Sequence, residues 1–421
     1  MAPSPKEDNI SKLEPDDDGS WIDEQLLQQV LDEKAIIVNI DVKRATGKGD
    51  NYLSLIYRTY VKYRLPESDD VHSKDLVVKG FPPGEFMQNY IDETGVFKRE
   101  ISVYNDVLPK LYAFADSRLG SGSFKKFSPA FYETSREDIL ILEDLKPQGF
   151  VMASRKNRLD YPHAKLIIQN LARFHALSFV YSECYPEFLS DFVDSLFGEM
   201  NRKRLEMFMP SLLKGITDTV RKWEGFGEIA SKLDRLLDTF VDRIINVNNP
   251  TDAFVNVLIH GDCWVNNILF NYSEAGVPKD MRFVDFQIAR KTSPAIELQY
   301  FLFTSLRNQV RIDHFEDLLR EYCEVFATYA KKLGYTGTVF TYEDLQKEIN
   351  RTLFFGLSSA MTTMAAVLAE PEDAPDMENI TEEGMTNGDQ VDIFVKMYES
   401  PLFRDAFENL LPYFDKQGVL D

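Results

Sequence analysis

The sequence predicts an α+β fold in two unequal parts: a small β-rich N-lobe over residues 20–143 and a large, mainly helical C-lobe over residues 144–421. Short runs rich in Ile and Val crowd the first third, at 35–42, 55–63, 76–79 and 139–142. Helical spacing of apolar residues dominates from about residue 163 onward. A compact block of short strands at 258–285 interrupts that helical part.

Taken in order, residues 1–19 are Pro-, Lys-, Glu- and Asp-rich with few apolar side chains, the composition of a disordered tail. Ser20 is placed to cap a helix running to about Glu33, with Trp21, Val30 and Leu31 on its stripe. The runs 35–42 and 55–63 flank the Gly-rich stretch 46–54, so they read as a hairpin. Residues 76–79 form an apolar strand ending in Lys79, and the next helix carries Phe97, Ile101, Tyr104 and Leu108 on one face. Glu100 leans toward that face, where a carboxylate needs a partner; Lys79 is the natural one. Residues 139–142 are continuously apolar, as in a strand buried on both faces, and run into the loop Glu143, Asp144, Leu145. A largely buried helix follows at 163–180, its stripe interrupted by Ser178; His175 on it reads as a core histidine satisfied by a hydrogen bond. Helices are expected at 229–245, 299–309, 315–333, 342–369 and 391–411, and an acidic loop at 370–390. Phe301, Phe303, Phe354, Phe355 and Met361 read first as core, and second as the lining of a small-molecule pocket.

Composition narrows the function. With 31 Phe and 19 Tyr the chain is globular. A net charge of −21 argues against nucleic acid and against anionic lipid as partners, because both attract basic faces. No run approaches the roughly 18 apolar residues of a membrane span. Cys184, Cys263 and Cys323 are too scattered for a disulfide framework or a metal site. Together with a polar N-terminus lacking an apolar signal core, they predict a cytoplasmic protein, which makes the sequons at Asn9 and Asn379 chance matches. Protein partners are left open.

The chemistry concentrates in residues 258–270 and 282–287. A strand leads to His260-Gly-Asp262, an amide follows five residues on at Asn267, and Asp285 closes a third strand. Phosphoryl transfer needs such a set: one carboxylate to orient and deprotonate a hydroxyl, and an amide oxygen with a second carboxylate to hold Mg2+. His260 reads as a structural residue that holds the loop by hydrogen bonds. The ordinary alternative is two unrelated strand-end turns.

His260-Gly-Asp-Cys-Trp-Val-Asn-Asn267, Val284-Asp-Phe-Gln287 and Leu142-Glu-Asp-Leu145 resemble the ecdysteroid kinase-like (CHK kinase-like) family, itself similar to choline and aminoglycoside kinases. The resemblance runs from about Trp21 to the C-terminus. It implies a bilobal, protein-kinase-like fold and ATP and Mg2+ as cofactors. Asp262 would be the catalytic base, with Lys79 and Glu100 as the pair that sets the phosphates. Asn267 and Asp285 would hold the metal. Gly47, Gly49 and Ser54 would cover the phosphates, and Glu143, Asp144 and Leu145 would border the adenine. Glu297 stands where the family commonly has Asp bracing the catalytic loop.

The acceptor implied is a hydroxyl of an ecdysteroid or another apolar small-molecule alcohol. The short interval from Asp285 to 293–298 leaves no room for a long activation segment, which argues against a protein substrate. A choline-like or xenobiotic alcohol is the alternative within this class. An inactive ligand-binding pseudokinase is the alternative outside it, but Lys79, Asp262, Asn267 and Asp285 are all present.

Overall fold

In the computed structural model, which describes residues 19–45, 54–81, 85–193, 196–370 and 391–421, the chain is α+β and forms two units. The expected tail at 1–18, the loop with Gly47 and Gly49, both sequons and the acidic stretch 371–390 lie outside the described residues.

Of the described residues, the first unit holds 19–101 and 130–144. Its strands are β1 (Ile36–Arg44), β2 (Leu55–Arg64), β3 (Val71–Gly80), β4 (Phe131–Tyr132) and β5 (Ile139–Glu143). They form one antiparallel sheet in the order β1-β2-β3-β5-β4. Alternation along the strands turns Leu55, Tyr57, Val61, Leu76, Val78, Ile139 and Ile141 to one face, where they pack with Ile22, Leu26, Leu27 and Val30. Lys79, next to Val78, therefore points to the opposite face. Helix α1 is only Glu24–Gln28, and its cap is Asp23, whose carboxylate accepts the Leu26 N–H at 2.8 Å. Ser20 does not cap it: a positive φ at Gly19 and the Ile22 N–H to Gly19 carbonyl bond put Ser20 inside a turn.

Helices α2 (Glu85–Thr94) and α3 (Val96–Ser102) follow. A π-helical turn, Val103–Val107, then joins α3 to α4 (Leu108–Leu119). The wider turn advances the helix phase, so Val103, Tyr104 and Val107 are buried while Ile101 is only half-buried. The single face expected through Ile101 is thereby reset.

The second unit holds 102–129, 145–370 and 391–421 among the described residues. Strands β6 (Phe150–Met152), β8 (Ile268–Tyr272) and β9 (Pro278–Phe283) form one antiparallel sheet, and β7 (Val257–Ile259) pairs with β10 (Arg290–Thr292). The helices are α5 (Tyr161–Cys184), α6 (Arg202–Arg221), α7 (Gly227–Leu236), α8 (Phe240–Val247), α9 (Pro294–Thr304), α10 (Asn308–Lys332), α11 (Tyr342–Arg351), α12 (Leu353–Met361) and α13 (Thr363–Leu368). Three more, Val391–Tyr398, Pro401–Glu408 and Leu411–Lys416, end the chain.

Several helices expected to be continuous are broken, three of them for a local reason. The run 299–309 splits because Leu306 bridges to Leu159, whose N–H and C=O bind Ser305 and Arg307. The run 342–369 breaks at Thr352 and Thr362, whose hydroxyls bond the carbonyls of Glu348 and Ser358 four residues back. The run 391–411 restarts at Pro401 and again before Pro412, and 229–245 parts between α7 and α8. The five residues Phe301, Phe303, Phe354, Phe355 and Met361 are all buried. No single helix among the described residues is long and apolar enough to cross a membrane.

Candidate active site

Strand β7 delivers the chain to the loop 260–267. Gly261 has φ of 88°, and a Cβ there would meet the Ile288 carbonyl oxygen at 2.1 Å, so only glycine fits. The His260 ring bonds the Val284 carbonyl through Nε2 at 2.9 Å and accepts the Asp262 N–H at Nδ1 at 3.2 Å. Both ring nitrogens are engaged in holding the loop. The Trp264 N–H then donates to the Asp262 carbonyl at 2.9 Å, and the Val284 N–H to the Asn267 carbonyl at 3.0 Å. This ties the loop to the segment that carries Asp285.

Asn267 Nδ2 donates to the Asp262 backbone oxygen at 3.0 Å and to its Oδ2 at 2.9 Å. The Tyr300 hydroxyl donates to Oδ1. Packing strips water from the Asp262 carboxyl and the nearby Asp285 charge opposes its ionisation, so its pKa rises despite the donors from Tyr300 and Asn267. Asp285 itself has φ of 69°, a left-handed conformation that a non-glycine residue adopts at some cost.

Helix α9 supports this loop from beneath. Ser293 caps it, accepting the Ala295 N–H, and all of its residues are buried. Glu297 lies in its first turn, where the helix dipole favours a negative charge. Its Oε2 accepts the His260 N–H at 2.9 Å, and its Oε1 the Gly261 N–H at 2.7 Å. His175 Nε2 lies 2.9 Å from Oε2, and His175 Nδ1 lies 2.8 Å from the Tyr322 hydroxyl. Burial alone would push the Glu297 pKa up; the bond to His175 and the His260 N–H outweigh it and hold the pKa below 4.5. The longer Glu thus reaches both loop amides. Ser178, which interrupts the α5 stripe, accepts the Leu258 N–H at 3.0 Å and so pins β7 to α5.

In the first unit, Lys79 Nζ meets Glu100 Oε2 at 2.7 Å. They are 4% and 1% exposed, so the pair is out of water. Ser54 is buried as well. The Glu143 and Asp144 N–H groups are taken by the Ala130 and Asp75 carbonyls, and Arg58 pairs with the Asp144 carboxylate at 2.5 Å. In the 143–145 stretch, the Leu145 N–H is the backbone donor with no such carbonyl partner among the described residues, and with Leu145 the chain re-enters the second unit.

Tyr300 escaped the sequence reading, since a tyrosine in an apolar helix reads as core. A signal was there: it lies three residues after Glu297, hence on the same helix face.

Residues 48–335 match the ecdysteroid kinase-like family, and the chain belongs to that family. Among solved structures it is similar to an ethanolamine kinase of Plasmodium vivax, at 12% identity over 87% of this chain and 84% of that one, with a TM-score of 0.42. It is also similar to a Ralstonia eutropha protein assigned as an aminoglycoside phosphotransferase, at 13% identity over 90% and 96%, with a TM-score of 0.40. A comparison with curated proteins gives no match.

Removing one member of a buried ion pair strands the other. Lys79→Met is expected to cost about 3–5 kcal/mol, and the double variant Lys79→Met, Glu100→Gln to recover part of it. Thermal melts check this; losses that simply add would contradict the pairing. Glu297 has a depressed pKa, so its contribution is present above 4.5 and is lost as pH falls through the lower folded value. Glu297→Gln should therefore cost about 1–3 kcal/mol at pH 7. In urea unfolding the gap from wild type should narrow as the medium is acidified below pH 4.5, and an unchanged gap would contradict an ionised Glu297.

Proposed function

We propose that this protein is an ATP- and Mg2+-dependent kinase that phosphorylates a hydroxyl of a small molecule, of the ecdysteroid or another apolar-alcohol class. The observation that carries the reading is the setting of Asp262, with one carboxylate oxygen on Asn267, the other on Tyr300, and the charge of Asp285 beside it. In this reading Asp262 orients the acceptor and takes its proton. The acceptor oxygen bonds to the γ-phosphorus as the bond to the bridging oxygen breaks, and ADP leaves.

The residues present fit a magnesium ion. Among the described residues, the Asn267 side chain bonds through Nδ2, so Oδ1 is the atom it would offer a cation. Asp285 adds carboxylate oxygen, and its repulsion of Asp262 is what a dication would relieve. Mg2+ accepts two such hard donors and fills its shell with water and phosphate oxygens; bound there, it would neutralise charge on the phosphates. Lys79, steadied by Glu100, is assigned to the α- and β-phosphates. Gly47, Gly49 and Ser54 are assigned to cover the phosphates, and the stretch Glu143, Asp144, Leu145 to the adenine edge, with the Leu145 N–H as donor.

Only residues 286–293 separate Asp285 from α9, and β10 occupies part of them. That leaves no long segment to dock a protein substrate, which supports a small acceptor. The three cysteines are free, which supports a reducing, cytoplasmic setting.

Asp262→Asn should lower phosphotransfer by about 10²–10⁴-fold and leave MgATP affinity nearly unchanged. Near wild-type turnover would remove Asp262 from its role. Asp285→Ala should instead weaken MgATP binding in calorimetry and abolish turnover, with Asn267→Ala milder. Unchanged affinity in an active Asp285→Ala variant would overturn the metal assignment.

A further inference from the structure

We propose that Tyr300 is a positioning residue for phosphotransfer, setting the plane and rotamer of the Asp262 carboxylate from α9. This rests on the reading of Asp262 as the base. An ionised carboxylate is acceptor-only, so the Tyr300 hydroxyl must donate to Oδ1. Asn267 donates to Oδ2 from within the loop. With one donor on each oxygen, rotation about χ2 would break a bond in either direction. Asn267 follows Asp262 by five residues and moves with the loop, whereas Tyr300 belongs to a different element. It therefore references the carboxylate to the helix rather than to the loop itself.

The tyrosine is built to stay in place. It is 6% exposed, and its ring lies 6.3 Å from that of Phe355 on α12. Burial and the adjoining Asp262 charge keep its hydroxyl protonated, well above the usual tyrosine range, so it serves as a donor throughout the working pH range. Glu297, one turn earlier on α9, holds the loop backbone at His260 and Gly261. One helix thus sets both where the loop runs and how its carboxylate is turned, and a near-attack geometry depends on both.

The test is Tyr300→Phe, which keeps the ring and removes the hydroxyl. Turnover is read as phosphate released or transferred from ATP in the presence of Mg2+ and a hydroxyl acceptor panel. A hydrogen bond to a charged group supports a loss of about 10–100-fold in kcat, with KM for MgATP and the melting temperature little changed. In an Asp262→Asn background the same change should cost nothing further, because Tyr300 acts through that carboxylate. A merely structural tyrosine would lower stability and add its loss in both backgrounds. Wild-type kcat in Tyr300→Phe, or an equal loss in the Asp262→Asn background, overturns the proposal. Retained turnover in Asp262→Asn alone would instead overturn the base reading. Should Tyr300→Phe not fold, Tyr300→Gln and Tyr300→Leu carry the comparison, with Gln, which keeps a donor, expected to be the faster. Equal rates in those two overturn the proposal.

Discussion

The carboxylate of Glu297 lies out of water and stays ionised because His175 and the N–H groups of His260 and Gly261 meet it. Burying a charge is costly unless hydrogen bonds replace its water, and here they do. In exchange the two loop amides gain a charged acceptor, and the loop takes up the positive φ that Gly261 alone permits. The candidate site is arranged around that contact. His260 turns its ring to Val284, Asp262 follows, and Asn267 closes back on Asp262. The helix that supplies Glu297 also supplies Tyr300, so loop and carboxylate share one frame.

The charges assigned to chemistry are handled differently from the acidic excess of the chain. Lys79 and Glu100 are buried against each other, and Glu297 is buried against His175. Asp262 and Asp285 add a like-charge contact: two carboxylates near enough for one to raise the pKa of the other. Like charges held together cost energy, and Asp285 sits in a strained backbone conformation besides. Asp285 and Asn267 would offer a dication hard oxygen donors, and its positive charge would relieve that repulsion, which is the physical core of the proposed magnesium site.

Much of this was legible in the sequence because the relevant residues are close along the chain. The loop 260–267 carries its own histidine, glycine, carboxylate and amide, so spacing alone marks it. The strand ending at Lys79 and the helix of Glu100 were legible from period and polarity, since a carboxylate on an inward face demands a partner. Tyr300 was not, because its bond to Asp262 spans 38 positions and depends on the phase of α9 against the loop. The helix breaks were hidden for the same reason. Leu306 leaves the helix to pair with Leu159, and Thr352 bonds both its own turn and Gln299. The π-helical turn at Val103–Val107 leaves no mark in composition, yet it decides which residues of that helix are buried.

The central claim is that this protein transfers phosphate to a hydroxyl. The direct measurement is to incubate the whole chain with ATP, Mg2+ and a panel of steroid alcohols, choline-like amines, plant phenols and glycosides, and to analyse the products by mass spectrometry. An apolar alcohol is expected to gain one phosphoryl group, in a reaction that needs Mg2+. ATP left intact by a folded protein that binds MgATP, with no acceptor phosphorylated across the panel, would contradict the claim.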